Sequence, residues 1–421
     1  MSDGPEARRE EWLASLVDPA REEALAAGDD LPDRVAAFAE PVQGEPAFDP
    51  AFIESIGARL DLPEEGEFER PLLARAVRVG LAHIDATFQG NHPKYGVGTY
   101  AQDCHDSFPP TIIAAVDALT LWGMTGRAEE LFGYWLAHFV REDGSINYYG
   151  PSVSEYGMLL TTGRRLMDRG GSAGWLAAHG DGLRRLERRL RDWMREGGAI
   201  GLLRGVPEAD EAERPARYFH SSAWVVRGLS DWASVLEGHL DDGNAARQAR
   251  EDAQALRGVL IEALEACWPH DPQDWWLRPT VEEEGYLAPP QGYITQSRLG
   301  SYTNYRYWPE LLSSGVLPRE WMERIVASRQ TAGGQFCGVT RFERQLDDWP
   351  LMEHLEGLWA LGRYDDYRLS LWGHIRYHQA EGHLTAYEQV SFPPGRKAAD
   401  YCLPCQLVAV RAEGKRRNGE R

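Results

Sequence analysis

Nine stretches of this chain repeat apolar residues at steps of three and four, and that periodicity constrains its fold more than any other feature. They span 110–124, 127–140, 154–170, 181–196, 221–240, 244–268, 319–330, 350–362 and 365–379. A period near 3.6 gathers the apolar residues of each stretch on one face of a helix. Gly, Pro and acidic residues stand between the stretches, where helix stops and N-caps belong. Alternating apolar and polar runs of strand length are scarce. The chain reads as all-α.

A faint repeat says how the helices are arranged. GRAEELFGYWLAHFVREDGSI (126–146) echoes GRYDDYRLSLWGHIRYHQAEGHL (362–384) at an offset of 236 residues. Each opens on a Gly-Arg turn, continues through an acidic pair and ends its helix in a small residue followed by His. The offset holds four units of about 59 residues, the length of a helical hairpin with its loop. Such hairpins stack into an open solenoid or close into a ring. Long, aromatic, polar loops recur after alternate helices, which puts one functional face at one end and favours the ring, an (α/α)6 toroid. Residues 1–70, rich in Pro and Glu, read as an N-terminal extension packed on a main domain spanning 71–412. The basic run from Arg411 to Arg421 reads as a solvated tail, with 413–421 outside the domain.

Charge and composition narrow the partners. A net charge of −20 argues against nucleic acid, whose phosphates need clustered Lys and Arg. No apolar run is long enough to span a membrane. The charged N-terminus lacks an apolar signal core, so the cytoplasm is the expected compartment. Five cysteines in 421 residues do not make a disulfide framework. Fifteen Trp and seventeen Tyr are more informative, because many sit beside polar residues. Aromatic faces over C–H surfaces, with hydrogen-bonding groups nearby, are what a sugar pocket requires; the remainder wedge between packed helices.

The candidates for chemistry fall in the loops. Residues 91–110 hold Asp103, His105 and Asp106, which either clamp sugar hydroxyls or, for Asp106, cap the helix opened by Pro109 and Pro110. Tyr148, Tyr149, Trp224 and Trp349 offer faces on which a sugar stacks, or fill the core. Arg204 and Arg306 bind hydroxyls or neutralise neighbouring acids. Residues 201–224 gather Glu208, Asp210, Glu211 and Glu213, which raise one another's pKa if the loop folds inward. The last loop sets Glu388 and Gln389 between aromatics, with Arg396 and Gln389 placed to orient either Glu388 or a substrate.

The succession resembles the (α/α)6-barrel glycosidases, most closely the inverting glucoamylase type. The resemblance is carried by Tyr387-Glu388-Gln389 with Gly395 and Tyr401 behind it, and by Ser221-Ser222-Ala223-Trp224 leading into Arg227-Gly228-Leu229 after an acid-rich loop. It covers residues 75–412 in outline and departs at Ala216, five residues before Ser221, where an acid would stand. It implies a cofactor-free glycoside hydrolase, and the lack of a signal core and of an appended carbohydrate-binding domain points to small, imported saccharides or glycosides as its substrates. Inverting hydrolysis needs one carboxyl that gives a proton to the leaving oxygen and a second that activates water from the opposite side, ~6.5–9.5 Å away. Glu388 is the expected base. Glu208 or Asp210 is the expected acid, ahead of Glu211 and Glu213. Glu388 can oppose them only if the chain closes on itself, as the ring does.

Two other readings stay open. His374, His378 and His383 suit a sugar epimerase, while a lyase would use a Tyr or His base beside an Arg. Cys402-Leu-Pro-Cys405 has zinc-knuckle spacing, and with Cys104 and His105 would make a Cys/Cys/Cys/His site in a metal-dependent or non-catalytic toroid, as in the lanthionine-forming cyclases. The Gly-rich signatures of those cyclases are absent, so the thiols read as core residues and no metal is expected.

Overall fold

The computed structural model describes residues 19–27, 31–36, 48–100, 102–150, 152–196, 198–208, 215–271, 275–282, 302–331, 333–342, 344–380, 382–392 and 395–419. Its body is a succession of helices: α1 (Pro71–Thr87), α2 (Pro109–Leu121), α3 (Thr125–Phe139), α4 (Val153–Asp168), α5 (Ala173–Met194), α6 (Phe219–Gly238), α7 (Gly243–Cys267), α8 (Trp308–Ser313), α9 (Arg319–Thr331), α10 (Leu351–Leu361), α11 (Tyr364–Gly373) and α12 (Val408–Asn418). The even-numbered helices form an inner ring. Each packs on the next, from α2 through α4, α6, α8 and α10 to α12, and α12 returns to α2. The odd-numbered helices lie outside, against their inner neighbours. This is the all-α toroid of helical hairpins that the periodicity and the repeat imply. The two echoing segments fall on α3 and α11, four hairpins apart, as an offset of four units requires.

Burial follows position in the ring. Outer α7 buries Ala246, Ala249, Ala253, Leu256, Leu260 and Leu264, one stripe at three- and four-residue steps. Inner α2 buries every residue from Thr111 to Leu121, because it has neighbours on all sides. Inner helices also come unusually close. A Cβ on Gly157 of α4 would collide with the Trp224 carbonyl of α6, and one on Gly228 of α6 would meet the Gly157 backbone at 2.5 Å.

The closing helix corrects one expectation. The run from Arg411 is not a loose tail: α12 completes the ring, with Val408 to Gly414 buried. Arg411 Nε lies 2.8 Å from Asp117 Oδ2 of α2, and the Arg417 guanidinium sits 3.9 Å from the Phe68 ring. At the other end of the chain, the short helices Pro19–Ala26 and Leu31–Ala36 rest on α11, and Pro50–Ile56 rests on α1.

Short strands were not legible in the sequence. A ribbon pairs β1 (Phe88–Gln89) with β2 (His92–Pro93). A five-stranded antiparallel sheet runs in chain order through β3 (Gln335–Phe336), β4 (Val339–Phe342), β5 (Gln345–Asp347), β6 (Gln389–Ser391) and β7 (Lys397–Ala398). It joins the loop before α10 to the loop before α12, placing Asp347 directly opposite Gln389.

Candidate active site

Described residues of the loops before α2, α6, α8, α10 and α12 meet at one end of the ring. There they surround a cavity of about 240 Å³, a little below the ~300–1,000 Å³ of sites for drug-sized ligands and suited to a small molecule. Its aromatic wall comes from Tyr95, Tyr100, Phe108, Tyr302, Tyr305, Phe342 and Trp349, and its polar groups are His105, Glu208, Arg306, Gln345, Asp347, Glu388 and Gln389.

Six of the residues singled out in the sequence therefore meet here: His105, Glu208, Arg306, Trp349, Glu388 and Gln389. Glu208 comes from the loop before α6 and Glu388 from the loop before α12. These are the third and sixth of six such loops, facing one another across the ring. Backbone pairing fixes Glu388 on both sides. Its N–H donates to Ala399 O at 3.0 Å, and its carbonyl accepts from Asp348 N–H at 3.1 Å. Ala399 takes a left-handed φ of 62° to make that turn, a conformation costly for a residue with a Cβ.

Glu208 is buried against the Arg306 guanidinium. Arg306 comes from a π-helical turn, Thr303–Tyr307, that leads into α8. Its Nε also donates to Glu310 Oε1 at 2.6 Å, and Glu155 lies 3.9 Å away. Burial works against the charge on Arg306, but Glu310 and Glu155 outweigh it and raise its pKa. The guanidinium carbon stands 5.5 Å from the Trp349 ring, which in turn stacks on Phe108 at 5.4 Å. Arg306 thus faces three buried carboxyl groups, of which Glu208 lines the cavity.

A further acid was missed. Asp347 is buried at the cavity wall, and burial together with neighbouring Asp348 pushes it up to about 7. Tyr305 O–H donates to it at 2.9 Å, the Gln345 amide at 2.9 Å and Trp349 N–H at 3.3 Å. Its sequence signal, Asp347-Asp348-Trp349-Pro350 ahead of a helix, is also how an ordinary helix start looks.

The other candidates sit elsewhere. Asp106 neither lines the cavity nor caps α2; His92 Nε2 lies 2.9 Å from its Oδ2 and Lys94 Nζ 2.6 Å from it. Tyr148 and Tyr149 back His105 rather than lining the cavity, with Tyr148 O–H 3.0 Å from His105 Nδ1. Burial pushes His105 down to about 4, so its ring is neutral. Trp224 is core: its indole N–H donates to Glu310 O at 2.9 Å within the α6–α8 contact. Arg204 and Arg396 are exposed. Asp210, Glu211, Glu213 and the side chain of Asp103 lie outside the described residues.

The histidines do not form an epimerase pair at the cavity. His374 and His378 are fully buried; His374 Nδ1 lies 2.7 Å from Asp348 Oδ2, whereas His378 Nδ1 lies 2.9 Å from the Tyr387 carbonyl and 3.6 Å from that Asp348 oxygen. Burial lowers both, His374 to about 3. His383 borders a separate cavity on the flank of α1, with Phe52, Ile53 and His83. The cysteines are all free thiols. Cys402 and Cys405 lie directly behind Glu388, and among the described residues Cys104 and His105 do not join them in a metal-ligating group.

Solved structures share this fold. A wild-type glycosidase superposes with a TM-score of 0.55 at 12% identity, covering 82% of this chain and 98% of its own. A glutamate-to-alanine glycosidase variant in complex with glucose gives 0.54 at the same identity and coverage. A phenylalanine-to-tyrosine glycosidase variant gives 0.53 at 13% identity, covering 81% and 97%. No protein-family model matches the sequence, and no curated protein does.

Proposed function

We propose that this protein is an inverting glycoside hydrolase acting on a small saccharide or glycoside, with Glu388 as general base and Glu208 as proton donor. The observation that carries this reading is convergence: Glu208 and Glu388, far apart in sequence, reach one small aromatic-walled cavity from opposite sides of a closed ring. Opposed carboxyls are what inversion needs, because the proton reaches the leaving oxygen from one side while water attacks the anomeric carbon from the other. Trp349 and the tyrosines supply faces for a sugar ring, and Arg306, Gln389 and Gln345 supply hydrogen bonds to hydroxyls.

Glu208 shares the Arg306 guanidinium with Glu310 and Glu155, which places it at the cavity wall within reach of a leaving oxygen. The shared fold with glycosidases, one of them holding glucose, supports the same reading. A lyase is less well served, because burial raises Tyr305 and Tyr95 well above the ordinary phenol range and makes them poor bases. We place the catalytic unit in the ring from Pro71 to Asn418, in a cytoplasmic protein.

Asp347 provides a second reading of the donor, favoured by its pKa near 7. Its strand neighbours Gln389, however, which puts it on the base side of the cavity. Leaving groups separate the two. A good aryl leaving group departs with little help from an acid, whereas an alkoxide needs the proton. Glu208→Gln should therefore slow alkyl glycosides far more than nitrophenyl glycosides, and Asp347→Asn should slow both alike. The reverse pattern would move the donor to Asp347.

A further inference from the structure

Behind the proposed base lies a group of side chains that hydrolysis does not use. Cys402 and Cys405 are both fully buried, in the Cys-Leu-Pro-Cys turn that opens the short helix Leu403–Gln406 ahead of α12. Their sulfurs are 2.8 Å apart. One Glu388 carboxylate oxygen and the two Sγ atoms all lie within 4.8 Å of one another. The pairing of Glu388 N–H with Ala399 O brings these segments together.

We propose that Glu388, Cys402 and Cys405 form a site for a thiophilic divalent cation such as zinc, and that filling it switches hydrolysis off. The inference rests on Glu388 being the base. Zinc–thiolate bonds of about 2.3 Å and zinc–carboxylate bonds of about 2.0 Å set ligand atoms of a tetrahedral site roughly 3.5–3.8 Å apart. The three atoms reach that spacing by small side-chain rotations. Two thiolates select a soft cation over magnesium or calcium. Each thiol gives up its proton on binding, so two protons pass to solvent and no electrons move. The resulting site of one cation and three anionic ligands leaves a fourth position open. Glu388 borders the cavity, which supplies the entry path and the space for that fourth ligand. A carboxylate bound to zinc has its negative charge neutralised and is a far weaker base, so the cation disables the base without blocking the whole pocket.

The test uses the full chain with its thiols kept reduced, and cobalt and zinc as probes. Cobalt should bind one equivalent and give the near-ultraviolet charge-transfer absorption of cobalt–thiolate bonds. Zinc should displace it and lower kcat by about 10²–10⁴-fold at saturation, the scale of a lost general base. Cys402→Ser with Cys405→Ser should abolish the absorption and make the remaining activity insensitive to zinc. Cys104→Ser with Cys267→Ser should keep both, which covers the case in which the first double variant fails to fold. No cobalt–thiolate absorption in the wild type, or loss of it in the Cys104/Cys267 variant, overturns the site. Metal binding as described without turnover of any glycoside would leave the site standing and remove the hydrolase. Hydrolysis untouched by zinc would do the opposite.

Discussion

The backbone of Glu388 is fixed on both sides. Its N–H and carbonyl are tied to Ala399 and Asp348, and the strand that follows it registers Gln389 against Asp347. Replacing it by Gln keeps the shape and removes the ability to take a proton from water. The rate constant should then fall by ~10²–10⁴-fold with substrate binding retained, and azide should not restore turnover with retention, because an inverting site forms no glycosyl-enzyme. Near-normal turnover of Glu388→Gln would contradict its role. The two glutamates were legible beforehand, since a Glu-Gln pair between aromatics pointed to Glu388 and an acid-rich loop to Glu208 or Asp210, and Glu208 and Glu388 line the cavity. Asp347 was not, because an acidic pair before a helix has the same appearance whether it faces solvent or a cavity. Only the β5–β6 pairing decides, and it joins residues 347 and 389, which no local pattern links.

At the scale of elements, most helices announced themselves, enclosed α2 among them, but short α8 did not. Outer α5 and α7 carry a clear apolar stripe, whereas α8, reached through the aromatic and polar run Thr303–Tyr307, shows no single face. The basic end of α12 disguised a helix whose first two turns are buried. Strands of two to four residues are too short for an alternating signal to emerge. Deeper along the inner helices, away from the cavity, Asp117 of α2 is held by Arg169 at 2.8 Å, Arg411 of α12 at 2.8 Å and Arg165 of α4 at 3.4 Å. Burial pushes Asp117 up, but Arg165, Arg411 and Arg169 outweigh it and hold the carboxyl well below the usual range. Because the folded pKa lies below the unfolded value of about 3.9, the stabilisation is complete above that pH and is lost as pH falls through it toward the folded value. Asp117→Asn removes one of the two buried carboxylates that Arg165 and Arg411 share, the other being Glu356, and should cost ~3–5 kcal/mol at pH 7. Urea unfolding of both proteins should show that difference shrinking below about pH 4; a gap that stays constant or widens would contradict the ring-tying role of Asp117.

For the whole molecule, the ring is what turns distant residues into a site. α12 packs on both α10 and α2, so the last loop faces the third across the mouth instead of lying at the end of a solenoid. The repeat offset of 236 residues set the hairpin unit, and the aromatic, polar loops recurring after alternate helices favoured the ring over a solenoid. The wall aromatics were harder to foresee. Tyr95, Tyr100, Tyr302 and Tyr305 resemble the other tyrosines in sequence and gain their role only from closure. The central claim is that Glu208 and Glu388 act on opposite faces of a glycosidic bond, and the anomer first released reports on it directly. Proton NMR of fresh reaction mixtures, over a panel of aryl and natural α- and β-glycosides, should show the product anomer opposite to that of the hydrolysed substrate, with mutarotation following. Release of the same anomer as the substrate, or no hydrolysis across the panel, would contradict the account.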